Sequence, residues 1–182
     1  MLFPVHLFEK ILKTVADYTS PDLIVPELLS DTADDVITEL CATLERAGRL
    51  HDPPAFQTAV RARELMSPTS FSEGWAMPHA RLKGLSQLSF ALARTIKPVV
   101  WPGDTRARVQ TIFLFAVPEF EARTYLNLIS ALAKLNQSAD LLQQLLSASD
   151  ARSMYEVLEE VPLRRPQPPA QASGVIRSLR AR

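Results

Sequence analysis

The chain has 182 residues, 47% hydrophobic and 22% charged, which fits one globular domain with short appendages and excludes a disordered chain. Its 20 basic and 20 acidic side chains cancel to zero net charge, so no basic stripe argues for nucleic acid. A single cysteine, Cys41, excludes an intramolecular disulfide, and no apolar run of about 18 residues argues for a transmembrane helix. The first ten residues lack the basic start and small-residue cleavage site of a signal peptide, which makes the cytoplasm the default expectation.

In chain order, residues 5–18 read as a short amphipathic helix, with Leu7, Ile11, Leu12 and Val15 at helical spacing. Pro21 and Pro26 bracket Asp-Leu-Ile-Val, a candidate strand. A helix is predicted from Thr32, with Thr32 as cap and Asp35 as the far side of an imperfect capping box. Val36, Ile37, Leu40, Cys41 and Leu44 form its inward stripe, which makes Cys41 a small core residue. Gly48 ends it in the left-handed conformation.

Asp52-Pro53-Pro54 opens the next helix, since proline is tolerated in a first turn. It runs through Phe56, Val60 and Leu65 and stops at Pro68; residues 67–74 follow as a loop. Short strands are predicted over 74–77 and 88–96, and residues 98–102 read as a turn region with a possible edge at Val99–Trp101. Val109 to Val117 is the strongest strand, an apolar run suited to a sheet covered on both faces. Helices are predicted over 121–135, 139–147 and 150–160, with Ser138 and Ser149 as caps. After Pro162 the proline-rich composition predicts a disordered tail. The expected division is therefore an N-terminal helical extension at 1–19, a domain at 20–161 and a tail at 162–182. The expected fold class is α/β: a small mixed β-sheet flanked by helices on both faces.

The histidines are the residues of chemical interest. His6 falls in the N-terminal helix and His51 in a polar turn, both ordinary surroundings. His79 closes the segment Arg63-Glu-Leu-Met-Ser-Pro-Thr69-Ser-Phe-Ser-Glu-Gly74-Trp-Ala-Met-Pro78-His79. An arginine, a threonine and a polar loop precede a Pro-His step, which suits a histidine at a strand end beside anion-binding groups. The three dispersed histidines and one helical cysteine have no metal-ligand spacing. Isolated Gly84 and Gly103 make no P-loop or dinucleotide fingerprint, and no nucleophile-elbow pattern surrounds Ser70 or Ser72.

The same segment resembles, without a gap, the signature R-E-x-x-x-S-T-G-I-G-x-G-I-A-I-P-H. That signature belongs to the EIIA domains of the fructose, mannitol and nitrogen-regulatory class of the bacterial phosphoenolpyruvate-dependent phosphotransferase system. Arg63, Glu64, Thr69, Gly74, Ala76, Pro78 and His79 match it directly. Downstream, Phe113 to Pro118 looks like the family's apolar strand, Tyr125 to Leu135 like its following helix, and Leu146 to Met154 like the start of its last helix.

The resemblance implies that His79 accepts a phosphoryl group through Nε2 from the phosphohistidine of HPr or its nitrogen-branch paralogue. The group then passes to a cysteine of an EIIB subunit, or its presence acts as a signal to a regulatory target. It implies no metal or organic cofactor, no nucleic acid, and a membrane only through a transporter subunit. Arg63 and Thr69 are the expected stabilisers of the transferred group, with the backbone N–H groups of residues 70–74 as further donors. The family's second histidine falls on Tyr125, which can donate a hydrogen bond but cannot become cationic. The family's Ser-Thr-Gly-Ile-Gly becomes Pro68-Thr69-Ser70-Phe71-Ser72, which removes two positions of easy positive φ. Trp75 replaces an aliphatic residue and is read as packing. The alternative to a carrier is a regulatory binding module in which phosphorylation is a switch or is lost.

Overall fold

The computed structural model describes residues 13–71 and 74–164. Six strands form one mixed sheet in the order β1-β5-β6-β3-β2, with β4 also paired to β6. The strands are β1 (Ile24–Leu28), β2 (Ser70–Phe71), β3 (Trp75–Ala76), β4 (His79–Leu82), β5 (Ser89–Trp101) and β6 (Asp104–Pro118). The helices are α1 (Ala33–Arg46), α2 (Pro53–Met66), α3 (Ala122–Gln137), α4 (Ala139–Ser147) and α5 (Ala151–Glu159). One core lies under α1 and α2 and includes Ile112, Leu114, Ala116 and Trp101. The other lies under α3, α4 and α5 and includes Phe113, Phe115, Val117 and Trp75. Alternate β6 residues feed opposite cores, as the period of two requires, and the expected α/β class with helices on both faces is observed.

Local chemistry sets the helix ends. Thr32 accepts from the N–H of Asp35 at 3.1 Å and caps α1. At the other end Gly48, at φ 67, donates to Glu45 and Arg49 donates to Leu44, which completes a Schellman motif. Asp52 caps α2 through the N–H of Ala55 at 3.0 Å. The cap of α5 is Asp150, which accepts from the N–H of Ser153 at 2.8 Å; the predicted Ser149 lies one residue too early.

Three other expectations change. Only the end of the predicted 5–18 helix lies among the described residues. There Val15–Tyr18 is one 3-10 turn, because Thr14 pairs with Pro162 and Val15 donates to Val161. That pairing also buries Leu163 at the start of the predicted tail; residues 165–182 lie outside the described residues. The predicted turn region at 98–102 is instead a continuation of β5 to Trp101. Pro98 is accommodated because the β5–β6 register shifts between Arg94 and Val99, and because the β1 pairing reaches only Thr95. Finally, the predicted loop contains β2, which pairs antiparallel with β3.

The β5–β6 hairpin turn presses on that loop. Gly103 has φ 84, and a Cβ there would stand 1.9 Å from Cγ of Pro68. Gly103→Ala is therefore expected to destabilise the protein by about 1–3 kcal/mol, read by urea unfolding. Gly84→Ala is the control: Gly84 has the same φ 84 but open space around it, so it reports backbone strain alone. Equal losses would mean that the approach to Pro68 carries no cost.

Candidate functional site

His79 is placed by a gap in the ladder on β6. Strand β3 pairs Trp75 and Ala76 with Thr111 and Ile112, and β4 resumes on the same edge by pairing His79 with Phe115. Between them Pro78 has no N–H to give, but its carbonyl accepts from Phe115 at 2.9 Å. Met77 turns its carbonyl toward the imidazole, and His79 Nδ1 lies 3.1 Å from that oxygen. A carbonyl only accepts, so Nδ1 carries the proton and Nε2 keeps its lone pair.

The imidazole is half-buried and backed by aromatics. The Tyr125 ring, in the first turn of α3, lies 5.2 Å from it. Tyr125 also meets Phe115 edge-on at 5.4 Å. Two guanidinium groups act on both rings: Arg63 from the last turn of α2, and Arg81 two residues along β4. Arg63 donates to the Ser67 carbonyl and so also closes the end of its helix.

Burial sets the electrostatics. It pushes the His79 pKa below its ordinary value; the hydrogen bond to Met77 opposes this, Arg63 adds to it, Glu64 opposes it and Arg81 adds to it. The neutral, nucleophilic form is thereby favoured. Burial pushes the Tyr125 hydroxyl up to about 12, against smaller opposing effects of Arg63 and Arg81, so the phenol stays a protonated donor near neutral pH.

The structure thus brings His79, Arg63 and Tyr125 together. Thr69 is close in the chain, but its hydroxyl, expected to meet an anion, donates to Glu64 at 2.8 Å, and its N–H does so at 3.0 Å. Of the loop backbone, Ser70 and Phe71 pair with Ala76 and Trp75, while residues 72 and 73 lie outside the described residues. Gly74 supplies the positive φ of 75 that the loop needs, and its carbonyl accepts from Gln110 and Thr111. Sequence reasoning missed Arg81 and Glu64 as members of this cluster. Arg81 was findable by strand alternation had β4 been recognised; the partners of Glu64 lie too far apart in the chain. Among the described residues no group of histidine, cysteine and carboxylate side chains could hold a metal ion, and no helix is long and apolar enough to cross a membrane.

Residues 17–161 match the family model for the phosphoenolpyruvate-dependent sugar phosphotransferase system, EIIA 2. The chain belongs to that family. It is 28% identical over 131 residues to the fructose-specific EIIABC component of Bacillus subtilis, covering 72% of this chain and 21% of that protein. The chain therefore spans about a fifth of that relative's length. It is 32% identical over 100 residues to a nitrogen regulatory protein of Pseudomonas aeruginosa, covering 55% of this chain and 65% of that one. Among solved structures, the nitrogen regulatory protein IIA-Ntr of Neisseria meningitidis superposes with a TM-score of 0.72 at 26% identity, over 79% of this chain and 98% of that one.

The His79 environment makes a pH prediction. Its folded pKa lies below the ordinary 6.5, so the unfolded chain takes up the proton first as pH falls. The stability contributed by neutral His79 is full above that unfolded value and is lost as pH falls from there through the folded one. An NMR titration of the His79 ring is expected to give a midpoint below 6.5. The loss of stability on acidification should shrink in His79→Asn. A midpoint at or above the ordinary value would contradict the neutral-nucleophile geometry.

Proposed function

We propose that this chain is a cytoplasmic phosphocarrier of the phosphotransferase system, with His79 as phosphoryl acceptor. The observation that carries the reading is the fixed tautomer: Nδ1–H is held by the Met77 carbonyl and Nε2 keeps its lone pair, on a ring that feels the charges of Arg63 and Arg81. In the transfer, that lone pair forms a bond to phosphorus as the donor's P–N bond breaks, and the electron pair of the broken bond returns to the donor nitrogen. Nδ1 keeps its proton throughout. Arg63 and Arg81 stabilise the charge on the transferred oxygens. Tyr125 supplies a neutral hydrogen bond where a second histidine would supply a cation. Thr69 contributes through the loop it anchors.

The donor is an HPr-type phosphohistidine protein, and the acceptor an EIIB subunit or a regulatory target. Exposed apolar side chains flank the site: Leu65 and Met66 end α2 just after Arg63, and Phe120 links β6 to α3 just before Tyr125. They offer a protein partner the apolar area that a docking surface requires.

A second reading has its own support. Tyr125 weakens charge stabilisation, and nitrogen regulatory proteins stand among the relatives. In that reading the surface around His79 docks on a target protein and phosphorylation is a switch or is absent.

Incubation with phosphoenolpyruvate, enzyme I and HPr, read by intact mass at neutral pH, separates the carrier from a binding module in which phosphorylation is absent. The carrier reading expects one acid-labile phosphoryl group in the parent and none in His79→Ala. Arg63→Ala should slow its gain about 10²–10³-fold, the usual effect of removing one charge-stabilising donor. Tyr125→His should lengthen the lifetime of the phosphorylated state. No gain from several HPr-type donors in a folded sample would favour the binding module.

A further inference from the structure

Glu64 is 2% exposed, a rare position for an acid unless its oxygens are matched. Here hydrogen bonds match them. Oε1 accepts the Thr69 hydroxyl at 2.8 Å. Oε2 accepts the Thr69 N–H at 3.0 Å and the Trp101 indole N–H at 2.8 Å. The donors come from the loop before His79 and from the far end of β5, 37 residues along the chain.

We infer that Glu64 is a positioning residue for His79: its buried carboxylate locks the end of α2, the Thr69 loop and the β5–β6 hairpin into one frame. The inference rests on the carrier reading for its kinetic consequence. Each element in the frame leads to the site. Arg63 is the adjacent residue of α2, and its guanidinium already holds the Ser67 carbonyl of the same connection. The Thr69 carbonyl accepts from Met77, the residue whose own carbonyl fixes the His79 tautomer. The hairpin that carries Trp101 also sets Gly103 against Pro68, so the loop is clamped from two directions. A loop that lacks two of the family's glycines is thus held by side-chain bonds rather than by its own backbone preferences.

The bond pattern supplies a test that separates frame from charge. In Glu64→Gln the amide oxygen can take the place of Oε2 and accept both N–H groups. The amide nitrogen can take the place of Oε1 and donate to the Thr69 hydroxyl oxygen, with that hydroxyl turned around. All contacts survive while the charge is lost. Glu64→Ala removes both. Trp101→Phe removes one bond and keeps the charge and most of the packing.

For phosphoryl transfer from HPr, Glu64→Ala should lower kcat about 10²-fold, the scale of a misplacement of about 1 Å. The KM for the donor should change less than kcat, because Phe120 of the docking surface lies outside the frame. Glu64→Gln should restore kcat to within a few-fold of the parent, and Trp101→Phe should fall between. In the free proteins, amide exchange at Thr69 should be slow in the parent and Glu64→Gln, intermediate in Trp101→Phe and fast in Glu64→Ala. The His79 ring faces charge from Arg63 and Glu64 of α2 and Arg81 of β4, with the Tyr125 hydroxyl on α3. Its titration midpoint should fall in Glu64→Gln and hold in Trp101→Phe.

Unchanged Thr69 exchange in Glu64→Ala, or a Glu64→Gln variant as slow as Glu64→Ala in transfer, would overturn the inference. If Glu64→Ala does not fold, Trp101→Phe decides: parent-like exchange and kcat together would overturn it. If the parent gains no phosphoryl group, the carrier reading fails, while Thr69 exchange still decides the frame.

Discussion

Strand β6 is enclosed on every side. One edge carries β5, the other carries β3 and then β4, and its two faces feed the two cores. An unbroken strand on the second edge would bury its side chains in regular alternation and leave no special position. Pro78 breaks it. With no N–H to contribute, it separates β3 from β4, and the Met77 carbonyl is left to bond a side chain rather than a neighbouring strand. The residue immediately after the break starts β4 with its imidazole partly out of the core. A strand paired on both edges thus serves as the ruler against which His79 is set.

The state of the His79 ring is set by several groups. Burial disfavours the imidazolium, and Arg63 and Arg81 disfavour it further. The Met77 carbonyl acts the other way, but it also selects which nitrogen is free. A site with only cations would bind an anion and hold it; Glu64 places a negative charge within reach of the same ring. Tyr125 adds an aromatic wall and a hydroxyl that stays protonated, with its pKa pushed up to about 12 by burial. The result is an oriented imidazole whose neutral form is favoured, with charges of both signs acting on it. In the carrier reading proposed above, that balance suits a group that is accepted and then given away, because tight anion binding would impede the second step.

Strong local signals made much of the fold legible in the sequence. The Thr32 cap, the Gly48 end of α1, the Asp-Pro-Pro start of α2 and the apolar run of β6 are each read within a few residues, and the structure realises each. The Pro-His motif placed His79 at a strand end, and the structure places it at the first residue of β4. What stayed hidden depends on distant partners. Strand β4 reads His-Ala-Arg-Leu, too short and too polar to declare itself, and exists because β6 offers an edge. The extension of β5 past Pro98 requires knowing that β1 stops at Thr95. The burial of Leu163 requires knowing that residues 161–163 meet 13–15. The Glu64–Trp101 bond joins residues that no sequence window contains.

The departures from the family signature are also connected in space. Pro68 stands where the signature has serine, and it lies against Gly103 of the hairpin turn. Phe71 stands where the signature has isoleucine, and Trp75 likewise; their rings lie 6.3 Å apart, and Trp75 continues onto Phe113 of β6 at 5.0 Å. Beyond Phe113 the aromatic contacts run through Phe90 and Phe115 to Tyr125 and so back to His79. A chain of rings therefore links the altered loop to the altered second position, on the face of the sheet that carries the imidazole. Substituting an aromatic at one of these positions changes the volume available at the next, because close-packed interiors transmit shape over short distances. Tyr125 is the last ring in a packed series whose first member belongs to the loop, and that packing sets its ring 5.2 Å from the His79 imidazole.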